Sequence, residues 1–308
     1  MASIARFPIS GPWRAVSAAL ATIIIASTCH AGELVTFKAT NPYLAKNVTL
    51  RADLFLPRGD GPFPAVVLMH GCGGWQPAVL DALNAHAMNF LDNGYAVLNL
   101  DSFGPRGKSG GVLCASDRQL QHALNYRLAD AYDALRYLRT HRAIDPRNIY
   151  LLGQSNGGSV AIDAAKMLAR AEDEPGFRAV AAYYPWCGSL GPASVKLNSP
   201  LIIFSGGRDN WTPAWQCRGR RSPDKALSFT EYPKATHSFD VRIEPQRYLG
   251  KLIGYDREAT MDSRTRMLAF FERAKFVSKP VVAEPVVASR VVANPVVAMT
   301  GPELLRDN

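Results

Sequence analysis

One serine stands between two glycines in the segment Gly-Gln-Ser-Asn-Gly at residues 153–157. This G-x-S-x-G pattern is typical of a serine nucleophile when a strand precedes it and a helix follows, because the turn leaves no room for side chains at the two glycines. An apolar run over 148–152 comes before it, and a helical pattern over 156–170 comes after it. We predict that Ser155 is the nucleophile of an acyl-transfer site. The alternative interpretation is a glycine-rich turn whose serine caps the helix.

A serine hydroxyl needs a general base, and histidine fills that role most often. His237 is the only histidine that follows Ser155 in the chain. It lies in the segment Ala-Thr-His-Ser-Phe at 235–239, just after the last predicted strand, where a loop at the carboxyl edge of a sheet would place it. We predict that His237 is the base. The remaining histidines of the predicted helices and loops are interpreted as surface or packing residues: His86, His122 and His141.

The acid of the site is expected at another strand end between the serine and the histidine. Residues 201–209, Leu-Ile-Ile-Phe-Ser-Gly-Gly-Arg-Asp, form an apolar run, a glycine turn and then a carboxylate. Asp209 is therefore predicted to orient the imidazole and stabilise the imidazolium. Asp224 and Asp240 are less well placed, and Asp240 is too near His237 along the chain to come from a separate strand end. A turn aspartate that caps the following helix is the alternative role for Asp209.

An acyl-transfer site also needs donors for the oxyanion of its tetrahedral intermediate. The backbone N–H of Asn156, directly after the nucleophile, is predicted to be one donor. The second is expected in the segment His-Gly-Cys-Gly-Gly at 70–74, where glycines let the backbone approach a substrate, and the Cys72 N–H is the candidate. A plain glycine turn is the alternative interpretation of this segment.

Strand-like and helix-like patterns alternate along the chain, which predicts a mostly parallel central sheet flanked by helices, an α/β fold in one domain over 32–277. The first two strands are expected to be antiparallel. Only fifteen residues lie between Tyr184 and Pro200, so no large cap domain is expected there. The predicted strands are 34–38, 48–56, 65–69, 95–100, 148–152, 179–184, 201–204 and 228–232, and the predicted helices are 79–93, 127–140, 156–170 and 263–275.

The first 31 residues have the pattern of an export signal. Arg6 and Arg14 are its positive region, and residues 16–26 form an apolar run of about eleven residues, too short to span a bilayer comfortably. Cleavage is expected after Ala31, with an uncleaved N-terminal anchor as the alternative. No other stretch has eighteen apolar residues, so no stable membrane insertion is expected after cleavage and the predicted location is periplasmic or secreted.

The C-terminal residues 278–308 form a low-complexity tail in which Val-Val-Ala recurs with a period of five, each time after proline or arginine. A period of five matches neither a helix nor a strand, so the tail is predicted to be extended and outside the domain. The whole chain is 47% hydrophobic and 20% charged, with a net charge of +9, which excludes a wholly disordered protein. The basic cluster at 218–221 lacks accompanying aromatic residues or a basic helix, so no nucleic-acid partner is expected.

Four cysteines remain outside the predicted signal, and an even number in an exported protein favours disulfides. We predict the pairs Cys72–Cys114 and Cys187–Cys217, because each pair joins loops that the predicted fold brings to one face. Free buried cysteines are the alternative. None of the four lies in a Cys-x-x-Cys pair, which argues against zinc or thioredoxin-type chemistry.

The segments 70–74, 153–157, 205–209 and 235–239 together resemble the dienelactone hydrolase family of α/β-hydrolases over residues 45–275. The resemblance implies an α/β-hydrolase fold and hydrolysis of an ester or lactone. The chain departs from the family's namesake enzymes at two points. Position 155 is serine where they use cysteine, and no glutamate occurs between Glu33 and Glu172, where they have one that engages the thiol. Prolyl-oligopeptidase-like peptidases are similar in this region too.

The predicted function is that of an exported serine hydrolase that acts on a small-molecule ester or lactone without a metal or organic cofactor. Trp75, Phe103 and Trp186 follow strand ends and are expected to line an acyl pocket, or else to be packing or exposed aromatics. The loop 102–126 is expected to cover part of the site. Two alternatives stay open: a peptidase or acyltransferase with the same three residues, and a non-catalytic exported binding protein.

Overall fold

The computed structural model describes residues 32–40, 47–108, 111–166, 176–191, 193–224 and 226–277. In this part of the chain the strands are β1 Glu33–Lys38, β2 Thr49–Phe55, β3 Phe63–Met69, β4 Ala96–Asp101, β5 Ile144–Gln154, β6 Val180–Tyr183, β7 Leu201–Gly206, β8 Leu227–Tyr232, β9 Gln246–Tyr248 and β10 Lys251–Ile253. The longer helices are α1 Pro77–Leu91, α2 Asp117–Thr140, α3 Asn156–Lys166 and α4 Arg257–Ala274.

Eight of these strands form one sheet in the order β1-β2-β4-β3-β5-β6-β7-β8. The β1–β2 and β2–β4 pairs are antiparallel, and every other neighbouring pair in this sheet is parallel. All six residues of β4 and of β7 are buried, as expected of strands covered on both faces. The predicted mostly parallel α/β class, with an antiparallel pair at its start, is therefore confirmed.

Alternate side chains of the central strands supply two separate hydrophobic cores, one on each face of the sheet. Val67 and Met69 of β3 belong to the core that also holds apolar residues of α2 and α3. Val66 and Leu68 of the same strand belong to the core that holds residues of α1 and α4. The helices thus cover both faces, and the carboxyl ends of the parallel strands are left to carry a site.

The structure differs from the sequence-based expectation at the starts of two helices. Helix α2 begins at Asp117 rather than at 127, after Ser116, whose hydroxyl accepts a hydrogen bond from the Gln119 N–H. Helix α4 begins at Arg257 rather than at 263, after Asp256, whose carboxylate caps the Ala259 N–H. The first turns of both helices are largely polar, so the apolar periodicity that predicts a helix becomes visible only further along.

The chain divides into a compact unit that ends at Lys275 and a second unit of residues 276–308, of which only 276 and 277 are described. The predicted signal segment 1–31 and the predicted tail 278–308 lie outside the described residues, so both assignments remain predictions. None of the helices in the described ranges is long and apolar enough to cross a membrane.

Candidate active site

A sharp turn joins β5 to α3 and holds Ser155 at φ 52°, in the left-handed region. A side chain at Gly153 would bring a Cβ to 2.0 Å from the carbonyl oxygen of Gly157, and one at Gly157 would bring a Cβ to 2.4 Å from that of Met69. Neither position therefore accepts a larger residue, which is the steric reason expected for the two glycines. The turn leaves the Ser155 hydroxyl beyond the strand end, directly before the helix.

Three of the predicted site residues come together in one hydrogen-bonded series. Nε2 of His237 lies 2.9 Å from Oγ of Ser155, and Nδ1 of the same ring lies 2.7 Å from Oδ2 of Asp209. The Asp209 and His237 side chains are both buried, with 0% and 2% exposure, so water competes little for these contacts. This arrangement can move a proton from the serine hydroxyl to the imidazole while the carboxylate holds the ring.

Asp209 is fixed by its own loop as well as by the histidine. Its Oδ1 accepts hydrogen bonds from the backbone N–H groups of Trp211 at 2.8 Å and Thr212 at 2.9 Å. Burial acts to raise the pKa of Asp209, but the charge and hydrogen bond of His237, together with these N–H donors, hold that pKa below its ordinary value. The carboxylate therefore stays ionised at neutral pH and can stabilise an imidazolium.

The hairpin of β9 and β10, which the sequence patterns did not predict, supports the backbone of the histidine. The His237 N–H donates to the Leu252 carbonyl, and the Gly254 N–H donates to the His237 carbonyl, both at 3.2 Å. Each strand has only three residues, too few for an alternating pattern to be recognised. The imidazole is thus held by Asp209 through its side chain and by the hairpin through its main chain.

Asp240, the competing carboxylate, binds a different set of partners. Its Oδ2 lies 2.7 Å from Nε2 of His86 and accepts from Nε2 of Gln154 at 2.7 Å, while its Oδ1 accepts from the Tyr184 hydroxyl at 2.6 Å. Burial acts to raise the pKa of Asp240, but these three hydrogen bonds hold it below its ordinary value. Asp240 therefore ties the residue before the nucleophile to Tyr184, directly after β6, and to α1. His86, expected to be a surface or packing residue, is fully buried in this network.

The segment predicted to supply an oxyanion donor lies against the serine. A Cβ on Gly71 would be 3.2 Å from Cβ of Ser155, so this close approach favours glycine. Among the described residues no backbone carbonyl accepts a hydrogen bond from the Cys72 N–H. Asn156 is the first residue of α3, so its N–H precedes the hydrogen-bond ladder of the helix. The Asn156 N–H, like that of Cys72, therefore remains a candidate donor to an oxyanion.

Both disulfides expected from the sequence are present in the structure. Cys72 is bonded to Cys114, which lies in a short helix just before α2, and the two Cα atoms are 5.2 Å apart. Cys187, after β6, is bonded to Cys217, after β7, also with a Cα–Cα distance of 5.2 Å. The first bond ties the segment beside the serine to the start of α2, and the second ties together the loops after two neighbouring strands.

Ser155 lines two cavities. We call them the first and the second cavity. The first has a volume of about 280 Å³ and is lined on α2 by Asp117, Leu120, Gln121 and Leu124 and elsewhere by Cys72, Ser155, Asn156, Ser159, Trp186, Trp211, Thr212 and Gln216. The segment 102–126 therefore does reach the site, but its second half does so as helix rather than as loop.

Of the three aromatic residues expected to line a pocket, only Trp186 lines one of these cavities. Phe103 is 1% exposed, and the centroid of its ring lies 4.7 Å from that of the His70 ring. It therefore packs against the segment beside the serine instead of lining a cavity. Trp75 packs against the core shared with α1 and α4, with the Arg51 guanidinium 5.2 Å above its ring. The expectation for Trp75 and Phe103 is corrected, because following a strand end does not determine where a side chain points.

Trp211 lines both cavities, although it was not among the site residues predicted from the sequence. Its ring lies 5.0 Å from the His237 ring and 6.1 Å from the Tyr248 ring. Its position two residues after Asp209 was the available signal, since the loop that carries the acid must run past the substrate.

Comparison with known proteins shows that this chain is similar to hydrolases. The sequence profile of the dienelactone hydrolase family matches residues 50–275. A curated relative, the peroxisomal succinyl-coenzyme A thioesterase of Mus musculus, is 31% identical over 120 residues, which are 39% of this chain and 24% of that protein. The chain therefore matches about a quarter of the length of this relative.

Solved structures share the fold at lower identity. The apo form of Thermogutta terrifontis esterase 2 has a TM-score of 0.57 and 21% identity, over 81% of this chain and 97% of that chain. A dienelactone hydrolase-like promiscuous phosphotriesterase from metagenomic libraries has a TM-score of 0.57 and 17% identity, over 79% of this chain and 99% of that chain. At these identities the likeness is one of fold.

Proposed function

The chain belongs to the dienelactone hydrolase family, and from this premise we propose that it hydrolyses carboxylic esters or lactones through an acyl-enzyme on Ser155. The observation that carries the proposal is the unbroken series from Ser155 through His237 to Asp209, with contacts of 2.9 and 2.7 Å. The mouse relative is a thioesterase, and thioester hydrolysis is acyl transfer to water as well.

Acylation begins when Nε2 of His237 removes the proton from the Ser155 hydroxyl as its oxygen attacks the ester carbonyl carbon. The imidazolium that forms is stabilised by the ionised Asp209, which keeps the tautomer with its proton on Nδ1. The N–H groups of Cys72 and Asn156 donate to the oxyanion of the tetrahedral intermediate. When the intermediate breaks down, the imidazolium gives its proton to the leaving alcohol oxygen.

Deacylation repeats these steps with water as the nucleophile. His237 takes a proton from the water, the resulting oxygen attacks the acyl carbon, and the proton returns to Oγ of Ser155 as the acid leaves. The same two N–H donors serve the second tetrahedral intermediate. No residue other than these five is required for the bond changes, and none of them needs to move far between the two half-reactions.

We also propose that the protein works outside the cytoplasm, in the periplasm or as a secreted protein. Residues 1–31 have the composition of an export signal, and the two disulfides are of the kind that forms in oxidising compartments. Mass spectrometry of the protein from culture medium and periplasmic extract, with an N-terminus at Gly32, would support this. A full-length protein confined to the cytoplasm would contradict it.

A fluorophosphonate probe together with a substrate panel separates this function from its alternatives. We expect one probe adduct, on Ser155, and turnover of p-nitrophenyl esters without cleavage of peptide substrates. Cleavage of peptides at comparable rates would indicate a peptidase instead, and transfer of the acyl group to added alcohols in preference to water would indicate an acyltransferase. Absence of both labelling and turnover would indicate a non-catalytic binding protein.

Removal of the disulfide between Cys72 and Cys114 is expected to lower both thermal stability and ester turnover. Its cysteines are 42 residues apart, and closing a loop of that length stabilises a protein by about 4 kcal/mol in the chain-entropy treatment. The bond restrains the backbone of Cys72, which carries a proposed oxyanion donor. Without the bond this donor is held less firmly, so turnover should fall as well. The measurement compares the melting temperature and kcat of the double variant Cys72→Ser, Cys114→Ser with those of the wild type.

The second disulfide provides a matched control for this prediction. Its cysteines, Cys187 and Cys217, are 30 residues apart, so the double variant to serine is expected to lose about 3–4 kcal/mol of stability as well. Neither cysteine supplies a donor to the proposed oxyanion hole, so kcat of the folded protein is expected to fall less. Equal losses of kcat in the two double variants would contradict a specific role for the first bond.

A further inference from the structure

The second cavity also borders Ser155 and has a volume of about 240 Å³. Both cavities include Cys72, Ser155 and Trp211 in their walls, so they meet at the nucleophile. His237 lines only the second cavity, and Asn156 lines only the first. Besides Trp211 and the disulfide, the apolar and aromatic residues that line the second cavity are Ala78, Val79, Tyr184, Val241, Ile243, Tyr248 and Ile253.

We propose that the first cavity binds the acyl group and the second binds the alcohol group of an uncharged, hydrophobic ester. This assignment rests on the proposed function, because it follows from the route of the proton. The imidazolium of His237 must reach the leaving alcohol oxygen, so the alcohol extends toward the cavity that His237 borders. The acyl chain is attached to the other side of the same carbon and enters the cavity bordered by Asn156.

The charges of the two walls disfavour an anionic acyl group. Among the described residues that line the cavities there is no lysine or arginine, and the one carboxylate, Asp117, borders the acyl side. A carboxylate on the acyl group would lose part of its hydration there without a cation to offset the cost. The substrate class therefore differs from the dicarboxylic acyl group in the name of the mouse relative.

The volume and the wall of the first cavity define the size of the acyl group. A cavity of about 150 Å³ is enough to hold benzene, and this one has about 280 Å³. Leu120, Leu124 and the rings of Trp186 and Trp211 offer flat and branched apolar surface. A branched or single-ring acyl group fits this space, whereas a long unbranched chain would extend past its open end into solvent.

The test fills each cavity in turn with a larger side chain. Leu120 and Ile243 are both half-buried and line one cavity each, so Leu120→Trp and Ile243→Trp form a matched pair. We expect Leu120→Trp to lower kcat/KM for p-nitrophenyl phenylacetate, relative to p-nitrophenyl acetate, by about tenfold or more, which is the discrimination that a few methylenes give. The ratio of kcat/KM for 1-naphthyl acetate to kcat/KM for methyl acetate should stay within about twofold of its wild-type value.

Ile243→Trp should show the reverse pattern. It should lower kcat/KM for 1-naphthyl acetate relative to methyl acetate and leave the ratio of the phenylacetate ester to the acetate ester unchanged. Wild-type kcat/KM for p-nitrophenyl hemisuccinate should be at least about tenfold below that for p-nitrophenyl valerate, which has a neutral acyl group of similar length. The assignment would be overturned if each substitution changed the preference assigned to the other cavity, or if the hemisuccinate and valerate esters reacted at equal rates. Either result would leave the proposed hydrolase activity unaffected. Absence of any Ser155-dependent hydrolysis would instead contradict the proposed function itself.

A second, independent observation concerns Arg127 of α2, whose side chain has no exposed surface. One nitrogen of its guanidinium donates to the His70 carbonyl and another to Oδ1 of Asn156, both at 2.6 Å. In the described residues no carboxylate lies within 4.0 Å of this guanidinium. Burial lowers the pKa of Arg127 to about 10, so the side chain remains charged at neutral pH.

We infer that Arg127 is a positioning residue for the oxyanion hole, which again rests on the proposed function. A buried cation without a carboxylate partner destabilises a fold unless its hydrogen bonds offset the desolvation. Both of its strong hydrogen bonds go to segments that carry a proposed donor: His70 lies two residues before Cys72, and Asn156 supplies its own N–H. The planar guanidinium therefore sets the distance between the two donors.

Arg127→Met is expected to lower kcat about 10²- to 10³-fold with KM nearly unchanged, the effect of losing one oxyanion donor. Affinity for a trifluoromethyl ketone, which forms an oxyanion on Ser155, should fall in parallel, whereas affinity for the product alcohol should not. Arg127→Lys keeps the charge but cannot span both acceptors, so it should recover less than about tenfold of the lost kcat. If the methionine variant does not fold, the lysine variant carries the same comparison.

Arg106→Met is the matched control, because Arg106 is a nearly buried arginine bonded to Asp130 and to the Ser102 carbonyl rather than to the site. We expect a lower melting temperature and a kcat within about threefold of the wild type, since no oxyanion donor depends on it. Unchanged kcat and unchanged ketone affinity in both Arg127 variants would overturn the inference. A rise in KM at constant kcat would overturn it too, because that result indicates a substrate contact.

Discussion

Replacement of Ser155 by alanine is expected to lower ester turnover by about 10⁴-fold or more, because the acyl-enzyme cannot form without the hydroxyl. The fold should persist, since alanine keeps the Cβ and places no new atoms in the turn at φ 52°. The measurements are kcat for p-nitrophenyl acetate, the intact mass after treatment with a fluorophosphonate, and the melting temperature. We expect no adduct and a melting temperature near that of the wild type.

Ser205→Ala is a matched control for this variant. Ser205 is a buried serine in β7, the strand next but one to β5, and its hydroxyl lies 3.7 Å from the sulfur of Cys217 rather than near an imidazole. It should keep the adduct and most of the turnover. Retention of more than about one per cent of kcat in Ser155→Ala would contradict the assignment of the nucleophile, because triad removal costs orders of magnitude more.

Asp209→Asn is expected to lower kcat by about 10⁴-fold at neutral pH while the protein stays folded. The amide cannot balance the charge of the imidazolium, and its NH₂ group favours the tautomer of His237 with the proton on Nε2, which cannot accept the serine proton. The loop should hold its shape, because the amide oxygen still accepts the N–H groups of Trp211 and Thr212. Steady-state kinetics and thermal melting measure the two effects separately.

Asp240→Asn makes the same chemical change at the competing carboxylate. Asp240 contacts His86, Gln154 and Tyr184 instead of the His237 ring. Asp240→Asn should therefore lower the melting temperature, whereas its kcat should fall much less than that of Asp209→Asn. If Asp240→Asn lowered kcat as strongly as Asp209→Asn, our choice of acid would be wrong.

The stability change in Asp209→Asn has a defined direction with pH. The pKa of Asp209 lies below its ordinary value in the folded protein, so the carboxylate contributes stability above the unfolded pKa. That contribution is lost as the pH falls through the folded pKa. The wild type and Asp209→Asn should therefore converge in melting temperature in acid and differ most near neutral pH.

Much of the fold was predictable because its signals are local. Continuous apolar runs marked β3, β4 and β7, which are buried on both faces, and the two glycines around Ser155 marked the tight turn, although the atoms that crowd Gly157 belong to the distant Met69 and His70. The chain order of serine, acid and histidine, each after a strand, was enough to select three residues that the structure brings within hydrogen-bonding distance.

Side-chain direction was less predictable, as the aromatic residues demonstrate. Trp75, Phe103 and Trp186 all follow strand ends, yet only Trp186 lines a cavity that opens onto the serine. The ring of Phe103 packs against residues of α2, and α2 begins ten residues earlier than its apolar pattern indicates. For the same reason Leu120 and Leu124 fell in a segment predicted to be a loop, and they were not predicted to line the cavity.

Residue types and their short spacings thus predicted most of the succession of strands and helices along the chain, the tight turn, and a set of groups suited to acyl transfer. The pairing of buried polar groups required the folded chain. Asp240 meets His86 across 154 residues, and Arg127 meets His70 across 57 and Asn156 across 29. No local pattern encodes such contacts, because the free energy that selects them comes from burial, which only the packing of distant segments creates.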